Sequence, residues 1–390
     1  MRLALPPPQT FFHRAIKTAA LLILRYVGPP AEVWVGEDFI VSEELSDEEL
    51  ASAIEKLVNA LRNGEFGLRP NLRADAQRIR KSLFEAWGLD KQATVNVESV
   101  VANGYLSYIK KLKEKGRLID EVKAAFSSFS EKGYEEDAKL IRVPMLNKLA
   151  PEFMEAVRTP GGVYMRGSVP STLKFSQMKL GPHSACWGLI GLWASLFYVN
   201  PKGEYYLFPS AETVVGTLAE KALEKLAENH KVVVSSLRGR PFTSFWTALL
   251  LTAILTVGAP DVARRFEFAS LTKSGQRDDI SQQSFLLFSK PLALFVDNLD
   301  DDTRERLRRL ALRGLTERGE ELGVSEAAIE ISRLIILALE RVIEPEEVVY
   351  QTARFSYLQT NLELEKAVGL RYRDVENIVR AIYKAKGERL

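Results

Sequence analysis

Apolar residues along this chain recur mostly at helical spacing, and strand-like alternation is confined to short stretches. Phe11 to Val27 is an apolar helical run stopped by Gly28-Pro29-Pro30. Glu32 to Val41 then alternates as a strand or short hairpin turning at Gly36. Ser46 and Glu49 form a capping-box signature, followed by Leu50, Ile54, Leu57, Val58 and Leu61 on one helical face, with Asn63-Gly64 as the stop. Helical patterns continue at Asn71–Trp87, Asn103–Lys115, Leu118–Ser130 and Leu146–Arg158, so the first 158 residues read as mainly α.

The pattern changes at Thr159. Gly161 to Phe175 reads as two short strands or an extended loop, Cys186–Ser195 as a buried helix, and Phe197–Phe208 as a hairpin around Asn-Pro-Lys-Gly. Ser210 is read as a helix start because Val215, Leu218, Ala222 and Leu226 hold helical spacing; a basic segment, His230–Arg240, and an apolar helix from Phe242 follow. A second hairpin is expected within Phe266–Phe288, with its tip at Thr272–Arg277. Beyond Pro291 the chain is charged and helical. Asp300, Asp301 and Asp302 open a helix that carries Arg304, Arg306, Arg308, Arg309 and Arg313, the order a helix dipole favours. Ala328, Ile331, Ile335, Ala338 and Val342 mark another helix and Tyr372–Lys386 a last one. The expected fold is a helix-rich α+β chain: a large α+β domain over 1–290, helical to 158 with strands and hairpins in 159–290, and a C-terminal helical bundle over 291–390.

With 390 residues, 46% of them apolar, there is ample material for a core, and a net charge of +2 means that attraction to nucleic acid must come from local clusters of Lys and Arg. The single cysteine, Cys186, excludes an internal disulfide and a thiolate zinc cluster and fits a reducing cytoplasm. No secretory signal is evident at Met1–Val27. Two uncharged runs, Leu180–Pro201 and Pro241–Pro260, have membrane-spanning length, but their Gly, Pro and Thr content and lack of one-sided basic flanks read as buried helices.

Candidate chemistry centres on a gap: Ala156 to Gly203 contains no Asp or Glu. Its first part offers backbone donors at Gly161 and Gly162, stacking rings at Tyr164 and Phe175, and cations at Arg166, Lys174 and Lys179, all suited to a phosphate backbone; a solvated loop of the same composition is the alternative. Lys273, Gln276 and Arg277 at the expected hairpin tip could reach base edges, and Arg238 and Arg240 form a further basic spot. Arg73, Arg78, Arg80, Lys81 and the Tyr108–Arg117 segment are basic as well and read as solvated helix faces. Enzyme signatures are sparse. The three histidines, His13, His183 and His230, have no metal-binding spacing, and no phosphate loop, GxGxxG or GxSxG is present. His183 with Cys186 as base and nucleophile is the weaker account of a thiol beside an apolar run, and Asp297–Asp302 reads as helix capping rather than a cation site. No catalytic residue, metal or cofactor is expected.

The order of segments, with Val33-Trp-Val35 and Phe39-Ile-Val41, the acidic Ser46-Asp-Glu-Glu-Leu helix, the glycine-rich Gly161–Phe175, the Cys186-Trp-Gly-Leu-Ile-Gly-Leu-Trp run and the helical tail, resembles the large subunit of the archaeal type I-A CRISPR interference complex, Cascade. The resemblance implies a noncatalytic, cytoplasmic antiviral protein that binds guide RNA and target duplex DNA and reads the protospacer-adjacent motif. It also implies backbone and small subunits and a helicase-nuclease as partners, with no membrane. The competing expectation is an enzyme of unfamiliar type acting on a nucleic-acid or phosphorylated substrate.

Overall fold

A computed structural model describes residues 1–6, 11–27, 32–71, 80–81, 96–127, 141–142, 179–201, 203–209, 216–241, 244–274, 277–279, 285–286, 290–315, 322–360 and 369–387. The fold is a helix-rich α+β, as the patterning predicts. It divides into two units, Met1–Arg238 with Arg265–Leu286, and Gly239–Arg264 with Leu287–Leu390.

In the first unit, α1 (Phe11–Val27) is the central element. It packs against α2 (Asp47–Arg62) and α5 (Pro182–Ser195), and every residue of α5 is buried. That burial accounts for the absence of acids from Pro182 onward. The capping box on α2 is present in full, with Ser46 Oγ accepting from Glu49 N at 3.2 Å and Glu49 Oε2 accepting from Ser46 N at 2.8 Å. All five of its expected core residues are buried. A four-stranded sheet runs β1 (Arg2–Ala4), β3 (Phe39–Val41), β2 (Glu32–Val35) and β8 (Gly216–Ala219), all antiparallel, so the expected turn at Gly36 joins β2 to β3. A second sheet runs β10 (Arg277–Asp279), β9 (Phe266–Ser274), β7 (Gly203–Pro209) and β6 (Leu196–Asn200), with β11 (Phe285–Leu286) also on β9. Both expected hairpins are therefore found.

Three helix expectations change. The segment expected as a helix from Ser210 contains strand β8, because Val33 and Trp34 of β2 take Leu218 and Thr217 as ladder partners; the helix α6 runs from Glu220 to Leu237. His230 lies inside α6, fully buried, so His230–Arg240 is not a separate basic segment. Ahead of α3 (Leu106–Glu114), Ser99–Tyr105 winds as a π-helix, and α4 (Leu118–Ala125) follows. The expected helices over Asn71–Trp87 and Leu146–Arg158 lie mostly or wholly outside the described residues.

Helix α1 also buries charge. Arg14 is ion-paired with Glu267 of β9, both about 5% exposed, and Lys17 is pushed down to about 8 by burial, with Glu267 and Glu37 opposing the shift. A pair this deep is costly to break by removing one partner, because the survivor keeps its desolvation cost.

The second unit is helical among the described residues. The apolar helix α7 (Phe245–Leu255) packs against α8 (Lys290–Asn298), α9 (Asp301–Arg313) and α10 (Leu322–Leu339), so it sorts with the helices after residue 290 rather than with the region before it. Helices α11 (Pro345–Thr360) and α12 (Tyr372–Lys386) complete it. Asp300 caps α9 by accepting from Thr303 N at 2.8 Å, while Asp297 binds Arg264 at 2.7 Å and Asp302 binds Arg371. Each of these acids thus has its own structural partner. Val342, expected on the buried face of α10, lies beyond that helix and is 65% exposed. No described helix is long and apolar enough to cross a membrane.

Candidate nucleic-acid interface

The acid-poor stretch is closed at its root by a two-stranded antiparallel ribbon. Strand β4 (Ile141–Arg142) pairs with β5 (Lys179–Leu180), with Arg142 opposite Lys179 and Ile141 opposite Leu180. Two cations therefore share one rung at the base of the segment 143–178. That segment carries Lys148, Arg158, Arg166 and Lys174 against Glu152 and Glu155. Gly161, Gly162, Tyr164, Arg166, Lys174 and Gln276 lie outside the described residues. Arg142 was not legible as a candidate, since only the pairing across the intervening segment brings it to Lys179.

The root is fixed because β5 runs straight into α5 through Gly181-Pro182, with proline at the first helical position, where no backbone donor is required. His183 follows, 3% exposed. The π-helix ends at Tyr105, whose oxygen accepts the Trp187 indole N–H at 2.9 Å and whose hydroxyl faces His183 Nδ1 at 3.0 Å. The tyrosine oxygen accepts from the indole, and which of Tyr105 Oη and His183 Nδ1 donates to the other is set by the imidazole tautomer. Nε2 faces Glu121 Oε2 at 3.8 Å, an electrostatic contact too long for a hydrogen bond, and Tyr108 donates to the same carboxylate. Burial pushes the His183 imidazole below its ordinary value against the pull of Glu121, and His183 with Tyr108 holds the Glu121 carboxyl below the usual carboxylate range.

This network anchors; it does not activate a nucleophile. Cys186 is fully buried and burial pushes its thiol well up, so the thiolate needed for attack is suppressed. Tyr105→Phe should cost about 1–3 kcal/mol, because it strips partners from the Trp187 N–H and His183 Nδ1 together. Urea denaturation checks this; a loss below about 0.5 kcal/mol, the usual effect of a neutral surface change, would show that the network does not hold the root.

The other candidates lie on other elements. Lys273 lies on β9 and Arg277 on β10, as expected for a tip, but the register sets Asp278 opposite Lys273 and Ser274 opposite Arg277. With Asp279 next, the hairpin end is charge-balanced rather than cationic. Arg238 is occupied: its guanidinium donates to the Gly64 carbonyl and ties the end of α6 to the end of α2. Arg240 belongs to the second unit and Arg238 to the first, so they do not form one basic spot of either unit. On α3, Lys113 pairs with Glu48 at 2.6 Å, while Lys110 and Lys111 are exposed.

No protein-family model and no curated protein matches this chain. The site must be read from its own residues. Among the described residues no group of three His, Cys, Asp or Glu is placed to hold a metal ion. What the ribbon's register does is set two cationic residues opposite one another at the two ends of an acid-poor segment.

Proposed function

We propose that the chain is a noncatalytic nucleic-acid-binding subunit, of the kind implied by its resemblance to the large subunit of a CRISPR interference complex. In this reading it contacts guide RNA and target duplex DNA, works beside backbone and small subunits and a helicase-nuclease, and reads a short flanking motif. The observation that carries the proposal is the rung Arg142–Lys179, which gathers the two ends of the segment holding Gly161, Gly162, Tyr164, Arg166 and Lys174. Cations at a fixed neck suit phosphate contacts, which position a nucleic acid without reading it. Gln276 and Arg277 at the β9–β10 end remain the candidates for base edges, since an arginine there can address guanine and a glutamine adenine.

The test is fluorescence anisotropy of the full chain with labelled duplex DNA and single-stranded RNA over a salt series. Arg142→Gln with Lys179→Gln should weaken binding about tenfold and shallow the log–log salt slope by about 1.8, for two lost phosphate contacts on duplex. The loss should be uniform across sequences. Gln276→Ala with Arg277→Ala should instead flatten the preference for one flanking motif, measured with guide RNA and partner subunits supplied. Salt-independent binding, or an unchanged slope in the double variant, would remove the ribbon from the interface.

A further inference from the structure

In the first unit, the four-stranded sheet has one sealed face and one open face. Strand alternation sends Leu3, Val33, Val35, Ile40 and Leu218 to the sealed side, each at most 3% exposed. The ladder sets Arg2, Val41, Trp34 and Thr217 in one row across the other face, with Ala4 and Phe39 in the next. None of these six is buried. A solvated antiparallel face is ordinarily polar, whereas this one is mainly hydrocarbon and aromatic ring.

Its centre is ordered. Trp34 and Phe39 stack with centroids 4.7 Å apart at 28°, and the Arg2 guanidinium lies 4.3 Å from the Phe39 centroid. The indole lies across the β2–β3 turn: a Cβ on Gly36 would come within 2.5 Å of Trp34 Cζ3 and 2.7 Å of Cη2, so glycine there makes room for the ring. Trp34 is still 39% exposed. Among the described residues Arg2 pairs with no acid, and the Trp34 indole N–H and the Thr217 hydroxyl make no hydrogen bond. An exposed indole backed by a second ring takes a nucleobase, whose stacking is tolerant of sequence. A guanidinium laid on a ring keeps its N–H fork free, and that fork suits a phosphate. With strands about 4.8 Å apart, the Arg2 and Trp34 backbones, two strands apart, are about 10 Å from one another, so a long arginine and one nucleotide can meet over the same rings.

The size of the face points the same way. Four strands of three or four residues cover roughly 200 Å². A stable protein–protein interface takes about 800 Å² from each partner, so the face has room for one or two bases and not for a second copy of the chain. Glu37 and Asp38 are exposed at the adjoining β2–β3 turn, so stacking rather than net charge must supply most of the affinity.

We propose that this open face stacks an unpaired nucleotide of a single-stranded nucleic acid, with the base on Trp34 and a phosphate on the Arg2 guanidinium. For its class of ligand this rests on the nucleic-acid reading above, but it uses residues other than the β4–β5 ribbon and contacts bases as well as phosphates.

The test is fluorescence anisotropy of the full chain with labelled oligouridine, oligothymidine and blunt duplex DNA over a salt series, run beside the Arg142→Gln, Lys179→Gln double variant. Trp34→Leu keeps an apolar cover but removes the ring; it should weaken single strands about tenfold and duplex less than about twofold, with the melting temperature unchanged. Arg2→Gln should weaken single strands about threefold and shallow the log–log salt slope by about 0.7, for one lost phosphate contact. Gly36→Ala, which displaces the indole without deleting it, should fall between the wild type and Trp34→Leu. Tighter binding of oligouridine or of oligothymidine names RNA or DNA as the source, and either supports the proposal. Single-strand affinity unchanged in Trp34→Leu, or duplex binding with no single-strand binding, would overturn it and leave the ribbon to be judged by its own variant. A dimer in sedimentation that Trp34→Leu abolishes would assign the face to a second copy and overturn it too.

Discussion

Gly191→Leu is expected to abolish the folded first unit. Gly191 sits in the middle of α5, where that helix meets α1 with no side chain between them. A Cβ built on Gly191 overlaps the Ala15 carbonyl oxygen and lies 2.6 Å from its carbonyl carbon and 3.0 Å from Ala15 Cα. These are backbone atoms, so no rotamer change relieves the clash; α1 and α5 must separate, and α1 also packs on α2, α6 and β7. Added methylenes in an adaptable core cost about 1–3 kcal/mol. Here the neighbours cannot adapt, and a loss above about 4 kcal/mol is expected, against a total stability of about 5–15 kcal/mol for a domain. The sign of Gly191→Ala sharpens the test. In an exposed helix that change gains about 1 kcal/mol, whereas here it should be strongly destabilising. Guanidinium unfolding followed by the emission of Trp187 and Trp193, both on α5, measures it; a neutral or stabilising alanine would mean that the two helices do not approach this closely.

The helix pair also shows where sequence reasoning succeeds. Local signals were legible: Ser46 and Glu49 specify a helix start on their own, and the uncharged run around Cys186 announces burial whatever it packs against. Hairpin arms flanking Asn-Pro-Lys-Gly are local too. The failures are non-local. Leu218 keeps helical spacing with Val215 and Ala222, yet it belongs to a strand because β2, far away in the chain, offers it a ladder partner. His230 looked like the start of a basic segment because Lys231, Arg238 and Arg240 follow it; Lys231 in fact pairs with Glu65 and Arg238 with Gly64, both at the end of α2. The candidate interface divides the same way. The acid-free run marks Lys179, but its partner Arg142 follows only from the β4–β5 register, and the place of Asp278 opposite Lys273 only from the β9–β10 register.

The protein is expected to lose about 4 kcal/mol of stability between pH 6.5 and 4.5, and two buried histidines are the reason. All three are buried: His13 and His230 fully, His183 to within 3%. Burial pushes His13 down to about 3, with Lys17 adding to the shift, and His230 down to about 4; His183 moves the same way. Burial outweighs the one hydrogen bond of each ring that favours its charged form. His13 Nδ1 donates to the Pro6 carbonyl at 2.7 Å, and His230 Nε2 donates to the Leu207 carbonyl at 3.0 Å while its ring lies between Phe66 and Phe266. Their folded values lie below the unfolded one, so the unfolded chain binds more protons throughout this window and stability falls as pH falls. Between pH 6.5 and 4.5 each of His13 and His230 costs about 2 kcal/mol, less than the limiting 1.36 kcal/mol per pH unit because the unfolded imidazole is already half protonated at pH 6.5. The loss starts near pH 6.5, above the range in which carboxylates titrate, which separates it from ordinary acid denaturation. His230→Gln and His13→Asn keep a donor near each carbonyl but remove the titrating group. Urea unfolding between pH 5 and 6 should show a slope for the wild-type chain that falls by about 1 kcal/mol per pH unit in each variant. An unchanged slope in both would place the acid sensitivity elsewhere and contradict the burial of these rings as neutral groups.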